Sequence, residues 1–307
     1  MVYTVTFNCA LDYVLSVPSY VTGATNRAAQ EQIFAGGKGI NVSRVLTDFG
    51  VPNTATGFVA GFTGAEVERL ARESGIKTDF IRLKEGMTRI NVKIKADGET
   101  EIHGAGVDIP QEGIGELLKK LDVLREDDIL VLAGSVPKSV PTTIYGDIAK
   151  CVESRGVKIV VDAEGELLLN VLPHRPFLIK PNHHELGDIF GTKIQTRAEA
   201  AKYALKMREM GARNVLVSLA GEGAVLACEN GNVYESVAPK GKVINSIGAG
   251  DSMTAGFIAA YLESGDYEYA FNTGICAGSA CAFSESTATL RDTKRLYSEC
   301  FKSVGLQ

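Results

Sequence analysis

The chain has 307 residues, a length that suits one large α/β domain with an inserted element. Its hydrophobic content of 45% and charged content of 22% are typical of a folded globular protein rather than a disordered or fibrous one. The net charge of −5 argues against nucleic acid as a partner, so any anionic ligand must be held by local cations and backbone N–H groups.

Strand-like and helix-like segments alternate along the chain. Val2–Phe7 alternates with a period of two, and Lys38–Phe49 has the apolar spacing of a helix face. Short, almost continuous apolar runs then predict parallel strands buried on both faces, at Asp128–Gly134, Val157–Ala163, Pro176–Lys180 and Asn214–Ala220. Helical stretches near 64–74, 111–124, 142–155, 184–190 and 196–210 separate them. This order predicts a doubly wound, mostly parallel sheet.

Two segments break this rhythm and predict a second, smaller sheet. Thr88–Gly106 alternates, turns at "ADGE" and returns, which predicts an antiparallel hairpin. Asn26–Gly37 is also extended and lies outside the pattern. We interpret both as a lid, with segments at about 12–36 and 88–106, inserted in a single domain that spans residues 1–307.

Polar residues recur where the predicted strands end. Ligands of open α/β sheets bind just beyond the carboxyl ends of the strands. An ordinary turn explains any one of these positions, but five of them in one register predict a ligand site along that edge: Asp12, Ser135, Asp162, Lys180–Asn182 and Ser218.

A first glycine-rich turn, "AGGKGIN" at 35–41, leads into a helix. Its glycines allow close backbone approach, and Lys38 favours an anionic or polyhydroxy ligand, although an ordinary helix start remains the alternative. The turn matches neither the Walker A pattern nor G-x-G-x-x-G.

A second turn, Gly248–Gly250, leads directly into Asp251 and another helix. Its N–H groups predict an anion hole, while the acid could be an ordinary helix N-cap or could accept the proton of a hydroxyl that attacks a bound phosphoryl group. The helix N-terminus should lower the pKa of Asp251 and make it a weak base, which suffices for a loose phosphoryl-transfer transition state. The pattern favours a kinase.

Other features mainly exclude alternatives. "NHHEL" at 182–186 lacks the H-E-x-x-H spacing of a zinc site, but Asn182 and Glu185 could orient the waters of Mg²⁺. The chain start lacks the basic region of a signal peptide, and no stretch is apolar enough for a bilayer, so no membrane partner is expected. Six dispersed cysteines read as reduced thiols of a cytoplasmic protein.

Five motifs together resemble the PfkB, or ribokinase-like, carbohydrate kinase family over essentially the whole chain: "GGKGIN" at 36–41, "AGSVP" at 133–137, "KPNHHEL" at 180–186, "SLAGEGA" at 218–224 and "GAGDS" at 248–252. The resemblance implies a three-layer α/β/α fold with a mostly parallel central sheet and a small β-sheet lid. Within the family, "NR" at 26–27, "TRINVKIK" at 88–95 and "NSIGAGDS" at 245–252 resemble bacterial 1-phosphofructokinases.

That resemblance implies Mg²⁺- and ATP-dependent conversion of fructose 1-phosphate to fructose 1,6-bisphosphate. Asp251 would be the catalytic base, with the anion hole at Gly248, Ala249 and Gly250. The sugar phosphate would contact Asp12, Arg27, Gly36, Gly37, Lys38, Asn41, Arg89 and Ser135. ATP would contact Lys180, Asn182, Ser218, Gly221, Gly223 and Ser279, and magnesium would be arranged through water by Glu185 and Asp162. Where the minor 6-phosphofructokinase has a nucleotide-binding lysine, this chain has Thr25.

Several alternatives stay open at the level of sequence. Tagatose 6-phosphate or fructose 6-phosphate could be the acceptor, since the related kinases share nearly all of these residues. A catalytically silent, phosphosugar-binding regulator is a different class of function, which an intact Asp251 disfavours. Because lids often pair between subunits in this family, a homodimer is expected.

Overall fold

A computed structural model describes residues 1–301 of the chain. They form thirteen strands, β1 (Val2–Thr6), β2 (Ala10–Ser16), β3 (Gln30–Gly36), β4 (Asn53–Ala60), β5 (Ile81–Leu83), β6 (Arg89–Lys95), β7 (Glu99–His103), β8 (Ile129–Ala133), β9 (Lys158–Asp162), β10 (Leu178–Ile179), β11 (Asn214–Ser218), β12 (Ala224–Ala227) and β13 (Val233–Ser236). The same residues form ten α-helices, α1 (Lys38–Asp48), α2 (Gly61–Glu73), α3 (Gln111–Lys120), α4 (Ile144–Val152), α5 (Gly165–Leu169), α6 (His183–Phe190), α7 (Arg197–Glu209), α8 (Ala249–Ser264), α9 (Tyr267–Ala282) and α10 (Leu290–Phe301).

Nine of the strands form one large sheet in the order β13-β12-β11-β10-β9-β8-β1-β4-β5. The seven strands from β11 to β5 are parallel, and β12 and β13 add an antiparallel edge. The carboxyl ends of the parallel strands therefore meet along one edge, as the βαβ rhythm of the sequence predicts.

Helices cover both faces of the large sheet. α3 to α7 pack on one face, and α1, α8, α9 and α10 pack on the other. β8 shows why its sequence is a continuous apolar run, because Leu130 and Leu132 belong to the first core and Ile129 and Val131 to the second. The predicted three-layer α/β/α architecture is confirmed.

The remaining strands form a separate four-stranded sheet in the order β3-β2-β6-β7. β6 and β7 are the predicted antiparallel hairpin, and β2 joins β6 in parallel and β3 in antiparallel orientation. α2 connects this small sheet to the large one through a core that includes Leu11, Ala35 and Val67. Within residues 1–301, no helix combines the length and the apolar character needed to cross a membrane.

Candidate active site

The polar residues predicted to follow the strands lie together at one edge of the large sheet. The Gly134 N–H, next to Ser135, donates to the carbonyl of Asp162 (2.9 Å), and the Lys180 N–H donates to the carbonyl next to Asp162 (3.0 Å). Asn182 and Ser218 form an isolated parallel bridge. Asp12 is the exception, because it lies within β2 of the small sheet and not at the end of a large-sheet strand.

A carboxylate between two ammonium groups forms the centre of this edge. Asp162, 1% exposed, contacts Nζ of Lys38 at 2.7 Å and Nζ of Lys180 at 3.0 Å. Although burial opposes ionisation, the two lysines hold the pKa of Asp162 well below its usual range. Asp162 in turn raises the pKa of Lys38. Lys38 therefore stays charged, and the contacts with Asp162 hold both ammonium groups in fixed positions.

Asp251 occupies the first turn of α8 and is buried, with 5% of its surface exposed. The side-chain amide of Asn41, on α1, donates to its Oδ2 at 2.8 Å. Burial, and next the charge of Asp162, raise the pKa of Asp251 to about 6. The expectation that the helix N-terminus lowers this pKa is wrong, because burial and a neighbouring carboxylate outweigh the helix dipole together with Asn41 and the two lysines.

The N-terminus of α8 offers unpaired N–H groups beside this carboxylate. Gly248 is the N-cap residue and adopts a left-handed conformation, with φ 81°. The Ser252 N–H donates to the Gly248 carbonyl at 2.8 Å, and the Ala249 N–H donates to Ser246 at a longer 3.3 Å. Within residues 1–301, no hydrogen bond uses the N–H of Gly250 or Asp251. These two donors form the core of the predicted anion hole.

Lys180 lies directly beside that hole. A Cβ added to Gly250 would come within 3.1 Å of the Lys180 ammonium nitrogen. Glycine at this position therefore lets the ammonium group and the free N–H groups face the same space. An incoming phosphoryl group could meet both.

Asp12 faces this site from the small sheet. Gly36 brings the two strands close together, since a Cβ there would lie 2.5 Å from Cγ of Asp12. Asn91 donates to Oδ1 of Asp12 at 2.8 Å, and Lys93 donates to Oδ2 at 2.9 Å. Sequence reasoning missed Asn91 and Lys93, although their alternation with Arg89 along β6 places all three on one face of the strand.

The remaining predicted sugar-phosphate residues differ in position. Arg89 is half-buried at the start of β6, and its Nε has no hydrogen-bond partner in the part of the chain that the structure describes. The Ser135 hydroxyl accepts from the Asn8 amide at 3.3 Å. Gly37 has φ 123° as the N-cap residue of α1. Arg27 lies in the exposed loop before β3.

A cavity of about 340 Å³ lies between the small sheet, α1, α2 and the loop before α8. Asp12, Asn41 and Gly248 line it, together with cations that the sequence reasoning did not single out: Arg44, Lys93 and Lys95. Arg44 could have been found from its spacing, because it lies three residues after Asn41 on the same helix face.

On the other side of the site, the predicted nucleotide residues form turns. Asn182 and Glu185 form a capping box at the start of α6, in which Asn182 Oδ1 accepts from the N–H of Glu185 (2.9 Å) and one oxygen of Glu185 accepts from the N–H of Asn182 (2.8 Å). Gly221 and Gly223 lie in the turn between β11 and β12. Ser279 is buried in α9.

The side chains of residues 1–301 fit a Mg²⁺ that is bound mainly by phosphates and water, and not a metal site built of protein ligands alone. Within residues 1–301, no group of three or more acidic, histidine or cysteine side chains could hold a metal. One Glu185 oxygen is free of the capping box, and Mg²⁺ bound mainly by phosphates and water needs only one or two carboxylates. Both oxygens of Asp162 contact lysines, and that Asp162 also arranges magnesium stays a prediction.

The chain is similar to known proteins in both sequence and structure. The sequence profile described as "pfkB family carbohydrate kinase" matches residues 5–294. A 1-phosphofructokinase of Bacillus subtilis (strain 168) is 46% identical, covering 97% of this chain and 98% of the relative. A tagatose-6-phosphate kinase of Staphylococcus epidermidis is 31% identical, covering 99% and 98%. The crystal structure of phosphofructokinase-2 from Escherichia coli with substrates and products superposes with a TM-score of 0.92 at 25% identity, covering 97% and 99%.

Proposed function

The chain belongs to the pfkB family of carbohydrate kinases, and on that premise we propose that it phosphorylates fructose 1-phosphate with ATP to give fructose 1,6-bisphosphate. One observation carries this proposal at the site: the buried carboxylate of Asp251 lies beside two unpaired N–H groups and the Lys180 ammonium. A proton acceptor and a phosphoryl-binding hole are the two parts that such a transfer needs.

Asp251 takes the proton of the attacking 6-hydroxyl in this mechanism. As the hydroxyl oxygen bonds to the γ-phosphorus of ATP, the bond from that phosphorus to the β–γ bridging oxygen breaks and ADP leaves. With a pKa of about 6, Asp251 is mostly ionised at pH 7 and is a better base than an ordinary aspartate. The N–H groups of Gly250 and Asp251, with Lys180, stabilise the negative charge of the phosphoryl group in transit.

The sugar phosphate is held between the two sheets. Asp12, fixed by Asn91 and Lys93, accepts sugar hydroxyls, while the unpaired guanidinium nitrogen of Arg89 and the hydroxyl of Ser135 bind the existing phosphate. The small sheet acts as a lid that excludes water, which would otherwise compete as the acceptor.

ATP lies across the turns on the other side of the edge, at Asn182, Ser218, Gly221 and Gly223, with Ser279 near the purine. Mg²⁺ bound to the nucleotide would neutralise phosphate charge, and Glu185 would hold it through water. Asp162 serves by fixing Lys38 and Lys180 in place. All six cysteines are free thiols, which agrees with a cytoplasmic location.

We favour fructose 1-phosphate over tagatose 6-phosphate as the substrate, because the chain is 46% identical to the 1-phosphofructokinase and 31% identical to the tagatose-6-phosphate kinase. The test is coupled ADP release with Mg-ATP and fructose 1-phosphate, fructose 6-phosphate, tagatose 6-phosphate or free fructose. We expect kcat/KM for fructose 1-phosphate to exceed the others by about 100-fold, or about 2.7 kcal/mol. Preference for a 6-phosphate would overturn the assignment of the substrate. No ADP release with any of the four sugars would favour the non-catalytic regulator.

A further inference from the structure

Arg44 is a half-buried cation beside the site that the reaction described above does not use. It lies on α1, one turn after Asn41. Its Nη1 donates to Oδ1 of Asn41 at 3.1 Å, and its Nη2 donates to the carbonyl of Ala35 at 2.8 Å. Among the ion pairs of residues 1–301, none involves Arg44.

These contacts fix which way the Asn41 amide points. A guanidinium group has N–H donors and no acceptor, so the atom of Asn41 that faces Arg44 must be the oxygen. The NH₂ group of Asn41 must then face Asp251, where it donates to Oδ2 at 2.8 Å. Without Arg44 only Asp251 would orient the amide, and once its carboxyl is protonated it could also donate to the oxygen of a flipped amide.

We infer that Arg44 is a positioning residue for phosphoryl transfer, which acts through the Asn41 amide to occupy Oδ2 of Asp251 and to leave Oδ1 as the oxygen that takes the proton of the attacking hydroxyl. The inference rests on the proposed function, because it assigns a task to one oxygen of the proposed base. A donor-only contact on Oδ2 stays favourable before and after Oδ1 is protonated.

The groups around Asp251 determine how its pKa should change when Arg44 is removed. Asp162 on β9 faces Asp251 and raises its pKa, as burial does, whereas Lys38 on α1, the Asn41 hydrogen bond and Lys180 after β10 lower it. The charge of Asp251 also acts to raise the pKa of Arg44 and that of the Cys281 thiol on α9. Removing Arg44 therefore weakens two influences that favour ionised Asp251, its own charge and the oriented amide.

The first test is Arg44→Met. We expect kcat to fall about tenfold, as for a misplaced reacting group, while KM for the sugar phosphate stays within about twofold. The acid limb of the kcat profile should move to higher pH, and Arg44→Lys, which keeps a donor-only cation, should restore much of the loss. Arg155→Met is the matched control, because Arg155 also donates to a carbonyl, that of Leu121 at 2.9 Å, but on the loop before β9. It should change neither kcat nor the profile.

A double-mutant cycle tests whether Arg44 acts through Asn41. In an Asn41→Leu background, Arg44→Met should lower kcat by less than about twofold, because the amide that it orients is gone. Additive losses would overturn the inference. So would a raised KM for the sugar phosphate with an unmoved pH profile, since that result would mean that Arg44 binds the substrate phosphate directly.

A readout without turnover separates this inference from the proposed function. In ¹³C-carboxyl NMR, the aspartate resonance that disappears in Asp251→Asn reports the titration of Asp251. It should titrate at higher pH in Arg44→Met than in the parent protein, and Arg44→Lys should bring it back. An unmoved titration would refute the positioning role, whereas inactivity of the parent protein on all sugars would refute the proposed function alone.

Discussion

At the scale of single residues, the site holds two buried aspartates with opposite electrostatic environments. Asp162 lies between two ammonium groups, so its charged form is stabilised. Among residues 1–301, no ammonium group pairs with Asp251, which faces Asp162, so its charged form is disfavoured. Groups whose environments push their pKa values apart are suited to different tasks, here holding cations and accepting a proton.

Replacement of Asp251 by asparagine should lower kcat by about 10²–10⁴-fold and leave the affinity for the sugar phosphate nearly unchanged. The same change should stabilise the protein. The native pKa of about 6 lies above the ordinary 3.8, so ionised Asp251 costs folding free energy above pH 6, and this cost fades as the pH falls towards 4. Calorimetry should show Tm raised by about 3 °C or more at pH 7.5, with a smaller gain at pH 5.

Asp162→Asn is the matched comparison for that experiment, with the opposite sign. The lowered pKa of Asp162 contributes stability that is present above 3.8 and is lost as the pH falls further. Its removal leaves Lys38 and Lys180 without their carboxylate, so Tm should fall at pH 7.5. Equal Tm shifts in the two variants would contradict the electrostatic account of the site.

At the scale of elements, the sequence predicts those strands and helices whose pattern is set by residues close together in the chain. Continuous apolar runs revealed β8 to β11, and alternation revealed the β6–β7 hairpin. β4 was not predicted, because threonines interrupt its apolar run. All eight of its residues are nevertheless buried, and the Thr56 hydroxyl donates to a carbonyl at 2.7 Å. The pKa of Asp251 could not be predicted, since Asp162 and Asn41 are 89 and 210 residues away in sequence and only folding brings them near.

The turn between β11 and β12 allows a paired test of the nucleotide side. Gly223 has φ 97°, and a Cβ there would lie 1.9 Å from the carbonyl oxygen of Ser236, whereas Gly221 has open space around it. Gly223→Ala should lower the free energy of unfolding by at least about 2 kcal/mol and raise KM for ATP about tenfold or more, because the turn must rearrange.

Gly221→Ala is the control for the fold, and its Tm should match that of the parent protein. Thermal unfolding and KM for ATP, measured on both variants, check the prediction. A Gly223→Ala protein that is destabilised but binds ATP normally would remove this turn from the nucleotide site.

At the scale of the whole molecule, the two faces of the small sheet have different character. Asp12, Asn91 and Lys93 lie on the face towards the cavity. The register of the strands places Tyr13, Ile33, Val92 and Ile102 opposite one another in a single row across all four strands. Ile33 and Ile102 are 47% and 58% exposed. An apolar row of this kind on a lid suits contact with a second copy of the chain.

We therefore expect a homodimer that pairs through the small sheets, and Ile102→Glu should shift it towards monomer in sedimentation velocity. A charge within an apolar contact lacks a partner and loses solvation, which weakens association. Since the small sheet also positions Asp12, KM for the sugar phosphate should rise while KM for ATP changes little. Leu262→Glu, at a 44% exposed position on α8, is the control and should alter neither mass nor KM. An unchanged mass in Ile102→Glu would show that the copies, if they pair, use another surface.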